Sequence, residues 1–131
     1  MNAAMAEAVT TLPAFLGQQT DNEGYGQPGT MLKVAFEVEG GGAEIIWVAP
    51  FWTDGRGNFV AQLANEPNFM GNLHVGDRVQ FTTDMIRDWS WHDGRQLWGN
   101  YTTRVMVPHL PANQAASISE LLSDAPVPAG W

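Results

Sequence analysis

Between Glu44 and Val107 the chain carries Ile45-Ile46-Trp47-Val48, Ala64-Asn65-Glu66-Pro67, Val75-Gly76-Asp77-Arg78-Val79, Ile86-Arg87-Asp88-Trp89 and Gly99-Asn100-Tyr101-Thr102-Thr103-Arg104. Side chains that branch at Cβ or carry a ring fill a pleated surface well, whereas Gly, Asn, Asp and Pro punctuate the backbone. The five pieces read in turn as strand, turn, turn, strand and strand of one antiparallel sheet.

Upstream, Leu32, Val34, Phe36 and Val38 alternate with Met31, Lys33, Ala35 and Glu37, the period of a half-buried strand. Gly40-Gly41-Gly42 turns the chain. Glu44 to Phe51 is almost wholly apolar and reads as a central strand covered on both faces. Asp54-Gly55 and Gly57 mark a hairpin loop, and Phe59, Ala61 and Leu63 alternate along the returning strand. Asn65 to Asn68 and Leu73 to Asp77 are turns, with Gly76 free to take a positive φ. Arg78 to Phe81 is a short strand with Val79 and Phe81 inward.

Asp93-Gly94 between β-prone runs signals a two-residue type I′ hairpin. In that register His92 faces Arg95, Trp91 faces Gln96 and Trp89 faces Trp98. Partners share a face, so Trp89, Trp91 and Trp98 gather on one side, with Ile86, Leu97 and Tyr101 on the other. Thr103, Val105 and Val107 continue the strand, unless a bulge at Gly99 reverses the parity beyond it.

The ends read as helices. Met5, Val9, Leu12 and Leu16 recur at helical steps within residues 3–16, and Asn2 can cap them. Pro13 clashes with the carbonyl of Val9, so the helix either kinks or breaks near residues 11–13. Asn113 can cap a second helix over 113–124, carrying Ala115, Ile118, Leu121 and Leu122. The expected fold is α+β: a small, strongly bent antiparallel sheet of about five to seven strands flanked by an N-terminal and a C-terminal helix.

At 131 residues the chain is expected to be one domain, 1–131, with a core large enough to need no metal or disulfide. Only 15% of residues are charged, well below the usual ~25%, so packing must supply the stability. Fully burying one aromatic side chain removes ~150–250 Å² from water, about 4–6 kcal/mol before entropy is counted.

Fourteen acidic and six basic side chains give a net charge of −8. Without a Lys/Arg cluster to neutralise phosphates, nucleic acid and anionic membrane are poor partners, whereas another protein fits the charge. There is no cysteine, hence no thiol chemistry. Met1 to Gly17 lacks a basic region followed by an apolar run, and no stretch approaches ~20 apolar residues, so a cytoplasmic location is expected.

The order Ile-Trp-Val, Leu-Ala-Asn-Glu-Pro, Val-Gly-Asp-Arg-Val, Ile-Arg-Asp-Trp and Gly-Asn-Tyr-Thr-Thr-Arg-Val resembles the DUF2314 family of bacterial proteins. The resemblance runs from about Glu44 to Val107, the expected family core, and Leu12 to Phe15 fits its N-terminal helix. Asn100 stands where a second Gly is common, and the chain beyond Val107 exceeds the minimal domain. The resemblance implies one compact α+β unit of bacterial origin and no particular activity.

The candidate chemistry is sparse. His74, His92 and His109 have no metal-ligand spacing, so neither a metal nor a cofactor is expected. Asp88 and His92 are the candidate acid–base groups, with Asp88 also placed to accept backbone N–H groups or to pair with Arg104. Asn65-Glu66 reads as part of a proline turn, and the glycine run lacks a phosphate-loop context. Trp89, Trp91 and Trp98 form either a contact patch or, if a helix covers them, core. The expectation is a non-catalytic interaction module whose candidate binding residues are Trp89, Trp91, Trp98, Asp88, His92 and Arg104. The alternative is a glycan or metabolite binder, or an enzyme, that stacks its ligand on the Trp face.

Overall fold

The computed structural model describes residues 1–131. Six antiparallel strands form one sheet: β1 (Thr30–Glu37), β2 (Ala43–Thr53), β3 (Asn58–Leu63), β4 (Arg78–Thr82), β5 (Ile86–His92) and β6 (Leu97–Gly99). Their spatial order is β4-β3-β2-β1-β5-β6. The helices are α1 (Asn2–Gln19), α2 (Tyr101–Met106) and α3 (Ala112–Leu121). The α+β expectation holds, with helices at both ends of the chain.

One connection dictates the curvature. In a flat sheet β4 and β5 would stand four strand spacings apart, roughly 19 Å. Only the 3₁₀ turn Thr83–Met85 joins them, and the step from Thr82 to Ile86 reaches at most about 14 Å. The sheet therefore curls, without closing, around an apolar interior. Phe59 stacks on Phe81 with centroids 5.2 Å apart, and Phe36 meets Phe81 edge-on at 6.0 Å. Helix α1 lies against β5, where Phe15 stacks on Trp89 at 4.7 Å.

The N-terminal helix differs from its expectation in two ways. It runs unbroken through Pro13, whose ring faces solvent. Its buried face is Ala4, Ala8, Leu12 and Phe15, while Val9 is 47% exposed and Met5 and Leu16 are half-buried. Ala4 and Ala8 fill that face beside Leu12 and Phe15, which leaves Met5, Val9 and Leu16 on the flanks. Asn2 lies inside the helix, and Met1 at the cap position makes no side-chain capping bond.

Strand β2 is covered on one face only. Ile46, Val48, Phe51 and Thr53 point inward, and a register shift between Val48 and Phe51 moves the inward set from even to odd positions. Ile45 and Pro50 are exposed, and Trp47 is half-buried with the Lys33 ammonium 5.5 Å from its ring centroid. No helix covers this outer face, so the apolar run reflects lateral packing along a one-layer wall. Val38 lies beyond the end of β1 and is half-buried.

The second half of the chain departs most. The β5–β6 loop holds four residues, Asp93 to Gln96, and the register pairs His92 with Leu97, Trp91 with Trp98 and Ser90 with Gly99. Strand β6 stops at Gly99, and the stretch read as its continuation is helix α2. Gly99 (φ 70°), the last residue of β6, and Asn100 (φ 53°) both adopt left-handed backbone, and two such residues in succession turn the chain out of the strand. At the C-terminus Pro111, not Asn113, precedes helix α3. No residue of α3 is fully buried. Trp131, at the end of the tail, stacks on both Trp89 and Trp91 at 5.8 and 5.5 Å.

Candidate binding site

Asp88 sits on β5 with 1% of its surface exposed. Its carboxylate accepts the backbone N–H groups of Trp89 at 2.8 Å, Tyr101 at 3.2 Å and Thr102 at 2.9 Å, and the Thr102 hydroxyl at 2.7 Å. A carboxylate suits this place because the first amides of a helix have no internal partner and carry partial positive charge. The Lys33 ammonium donates to the same Thr102 hydroxyl at 3.0 Å. Burial pushes the Lys33 pKa down, and the nearby Asp88 charge opposes that shift.

Arg104 does not pair with Asp88. Its guanidinium donates to the carbonyls of Gly99 at 2.8 Å and Ser123 at 2.7 Å and to the Ser123 hydroxyl at 2.9 Å. The planar fork binds the end of β6 to the segment that follows α3. Burial pushes the guanidinium pKa down, and the nearby Tyr101 and Asp88 oppose that shift. His92 is exposed and its Nδ1 accepts the Gly94 N–H at 3.1 Å. Asp88 and His92 line none of the larger cavities, and Arg104 borders a shallow one beside Ser119 and Asp124. The three groups do not converge on a common space.

Trp89, Trp91 and Trp98 share a face, as expected, although through a different register: Trp91 opposes Trp98, and Trp89 is two residues along. Trp89 is completely buried under α1. Its indole N–H donates to the Thr11 hydroxyl at 3.0 Å, which lies 2.9 Å from the Tyr101 hydroxyl. That chain ties α1, β5 and α2 together, and burial raises the Tyr101 pKa. Trp91 and Trp98 are half-buried. The Trp98 indole donates to Asp93 at 2.9 Å, and this bond, with those from Gln96 and Arg95, lowers the Asp93 pKa to about 2. Because Trp131 lies over Trp89 and Trp91, neither ring offers that face to a ligand.

Open apolar surface lies elsewhere. A cleft of about 600 Å³ opens where the end of β1 approaches β4. Phe36, Val79, Met70, Leu73 and Met85 supply its apolar walls. Glu37, Glu39, Arg78 and Gln80 stand around it, and Phe69 flanks it with 72% of its surface exposed. The loop bearing Phe69 is clamped from both ends. The Glu44 carboxylate accepts the N–H groups of Asn68 and Phe69 at 2.7 and 2.8 Å. Glu66 takes the Val75 N–H at 2.9 Å and pairs with His74 at 2.6 Å. Sequence reasoning read this segment as two turns and passed over its content; the available signal was Phe69-Met70, an apolar pair inside a polar, turn-rich stretch.

Two features of the site also explain the family-like motifs. Asp88-Trp89 supplies the cap of α2 and the ring on which α1 rests, and Gly99-Asn100 supplies the left-handed corner between them. A Cβ at Gly99 would lie 2.4 Å from the Trp89 carbonyl oxygen. The family model described as an uncharacterized protein conserved in bacteria matches residues 1–120. The chain belongs to the DUF2314 family. That DUF2314 match includes α1 and all but the last residue of α3. No curated protein and no solved structure matches the chain.

No group of three or more His, Asp or Glu side chains is placed to hold a metal ion. No helix is long and apolar enough to cross a membrane.

Proposed function

We propose that this DUF2314 protein is a cytoplasmic interaction module that binds another protein and carries no chemistry of its own. The observation that carries the reading is Phe69, a large apolar side chain held out in solvent by two hydrogen bonds from its loop to Glu44. Leaving an aromatic ring in water forfeits stability that burial would supply, and clamping its loop adds conformational cost. A preorganised exposed aromatic recovers those terms on binding, when it becomes an anchor in a partner's pocket. Supporting it, Asp88 and Arg104 spend their hydrogen-bonding capacity on the backbone around α2, which leaves neither free for proton transfer.

The test replaces Phe69 with a benzophenone-bearing photo-crosslinking residue in cells of the source organism. The exposed position Val9 on α1 serves as control. Protein adducts of defined mass formed at position 69 and absent at position 9 are expected. The same background from both positions, or small-molecule adducts alone at 69, would overturn the reading.

A further inference from the structure

Strand β4 is the outermost strand on its side of the sheet. Its ladder with β3 tells which backbone groups are left over. Thr83 donates its N–H to Gly57 and Leu63 donates to Asp77, just beyond the two ends of the ladder. In an antiparallel pair such bonds recur at every second residue, so Val79 and Phe81 turn their amides toward β3. Arg78 and Gln80 turn theirs the other way, toward the cleft, where no neighbouring strand takes them.

Across the gap, β1 has run past its partner β5: the last β1–β5 pair is Val34 with Ile86, while β1 continues to Glu37. Val38 donates to Gly42 on the β2 side, so by the same alternation Glu37 turns its N–H and carbonyl away from β2 and toward the cleft. The cleft is therefore more than an apolar hollow: a free strand edge forms one side of it, and the overhanging end of a second strand forms the other. Exposed edges of this kind pair readily, and proteins ordinarily blunt or cover them.

We propose that the cleft is a strand acceptor: an extended segment of a partner protein, apolar at alternate positions and basic between or beside them, adds to the free edge of β4. This deepens the binding reading above and rests on it. Backbone pairing to Arg78 and Gln80 supplies the register, and every second side chain of the guest enters the apolar walls beside Phe69, Met70 and Leu73. Charge selects the guest. Glu37 and Glu39 stand at the β1 side of the gap against a single basic residue, Arg78, and the chain as a whole carries −8. A second copy of this chain would bring like charge to the same place, so a basic partner segment is the favoured occupant.

The test uses a pool of blocked octapeptides in which Val, Ile, Leu or Phe alternates with Lys, Arg or Thr, titrated into the intact protein and followed by amide NMR and hydrogen exchange. The expected result is new exchange protection at the Arg78 and Gln80 amides, with shifts at Phe69 and Leu73. Two further arms isolate strand pairing. Peptides N-methylated at the edge-facing amides should bind roughly tenfold or more weakly, whereas methylation in the alternate register should be tolerated. Gln80→Pro deletes one outward N–H while sparing the ladder to β3, and should weaken binding similarly. A pool with Glu and Asp in place of Lys and Arg should not bind.

Binding that ignores the methylation register overturns strand addition, while the photo-crosslinking result at position 69 would stand. No protection with any pool also overturns it. A dimer in sedimentation whose interface protects Arg78 and Gln80 without peptide would show self-pairing in place of a basic partner.

Discussion

Asp88 holds Thr102 twice, taking its backbone N–H at 2.9 Å and its hydroxyl at 2.7 Å with one carboxylate oxygen while the other takes the Tyr101 N–H. The bonds reach across 14 residues of chain, from the middle of β5 over the hairpin to the first turn of α2. A buried side chain therefore does what a local capping residue does in most helices.

Asp88→Ala should destabilise the fold by about 3 kcal/mol or more, since it strands the amides of Trp89, Tyr101 and Thr102 and each unsatisfied donor costs about 1–3 kcal/mol. Asp88→Asn retains an acceptor but brings two donors into a space filled with donors, and should fall between alanine and wild type. The midpoint of urea unfolding measures both. Equal midpoints for all three proteins would show that α2 does not need this cap.

Arg104→Lys tests the clasp on the C-terminal segment. A point ammonium cannot reach the carbonyls of Gly99 and Ser123 and the Ser123 hydroxyl with one planar group. The expected loss is about 2 kcal/mol, near the worth of one or two hydrogen bonds to a charged group. It should appear first as faster amide exchange at Ser123, whose N–H donates to Leu97. Unchanged exchange at Ser123 would place the clasp elsewhere.

The β1–β4 half of the sheet was legible because its signals are local: alternation along β1, a glycine-rich loop before β3, and the short inward pair Val79 and Phe81. The curl and the edge gap were not, since they follow from the order of strands in space, which no local pattern encodes. The region from Asp93 to Val107 misled for a definite reason. Asp93-Gly94 is a strong hairpin signal, but Asp93 binds Arg95, Gln96 and the Trp98 indole, and this holds a wider loop. Tyr-Thr-Thr favours strand by propensity; the left-handed corner and the distant Asp88 cap turn it into helix. For α1, Ala4, Ala8 and Phe15 join Leu12 on the packing face, where the helical steps had pointed to Met5, Val9 and Leu16.

Gly99→Ala examines that corner. The added Cβ meets the Trp89 carbonyl oxygen at 2.4 Å and its ring at 2.5 Å, with φ at +70°. Backbone and a fully buried ring leave nothing flexible to yield, so a loss of about 3 kcal/mol is expected from strain and overpacking together. Near-UV circular dichroism of the Trp89 environment should weaken in parallel. A variant with wild-type stability and spectrum would mean that β6 can shift away from Trp89.

The Glu66–His74 pair makes the Phe69 loop sensitive to pH. The hydrogen bond that His74 donates to Glu66 and then the Glu66 charge raise the His74 pKa above the ordinary 6.5, and the bonds from Val75 and His74 lower the Glu66 pKa below 4.5. A raised histidine contributes stability that is complete below its unfolded pKa and is lost as pH rises through the folded value. A depressed carboxylate contributes stability that is complete above its unfolded pKa and is lost as pH falls through the folded value. The pair therefore holds the loop best between about pH 4.5 and 6.5. In that window exchange at Val75, corrected for intrinsic rate, should be slowest. The His74 ring should titrate above 6.5 by NMR, return toward 6.5 in Glu66→Gln, and move the same way in high salt because both groups are exposed. A His74 midpoint at or below 6.5 in the wild type would show that the pair does not form in solution, and the loop carrying Phe69 would then be held by Glu44 and by the Val75 N–H bond to Glu66.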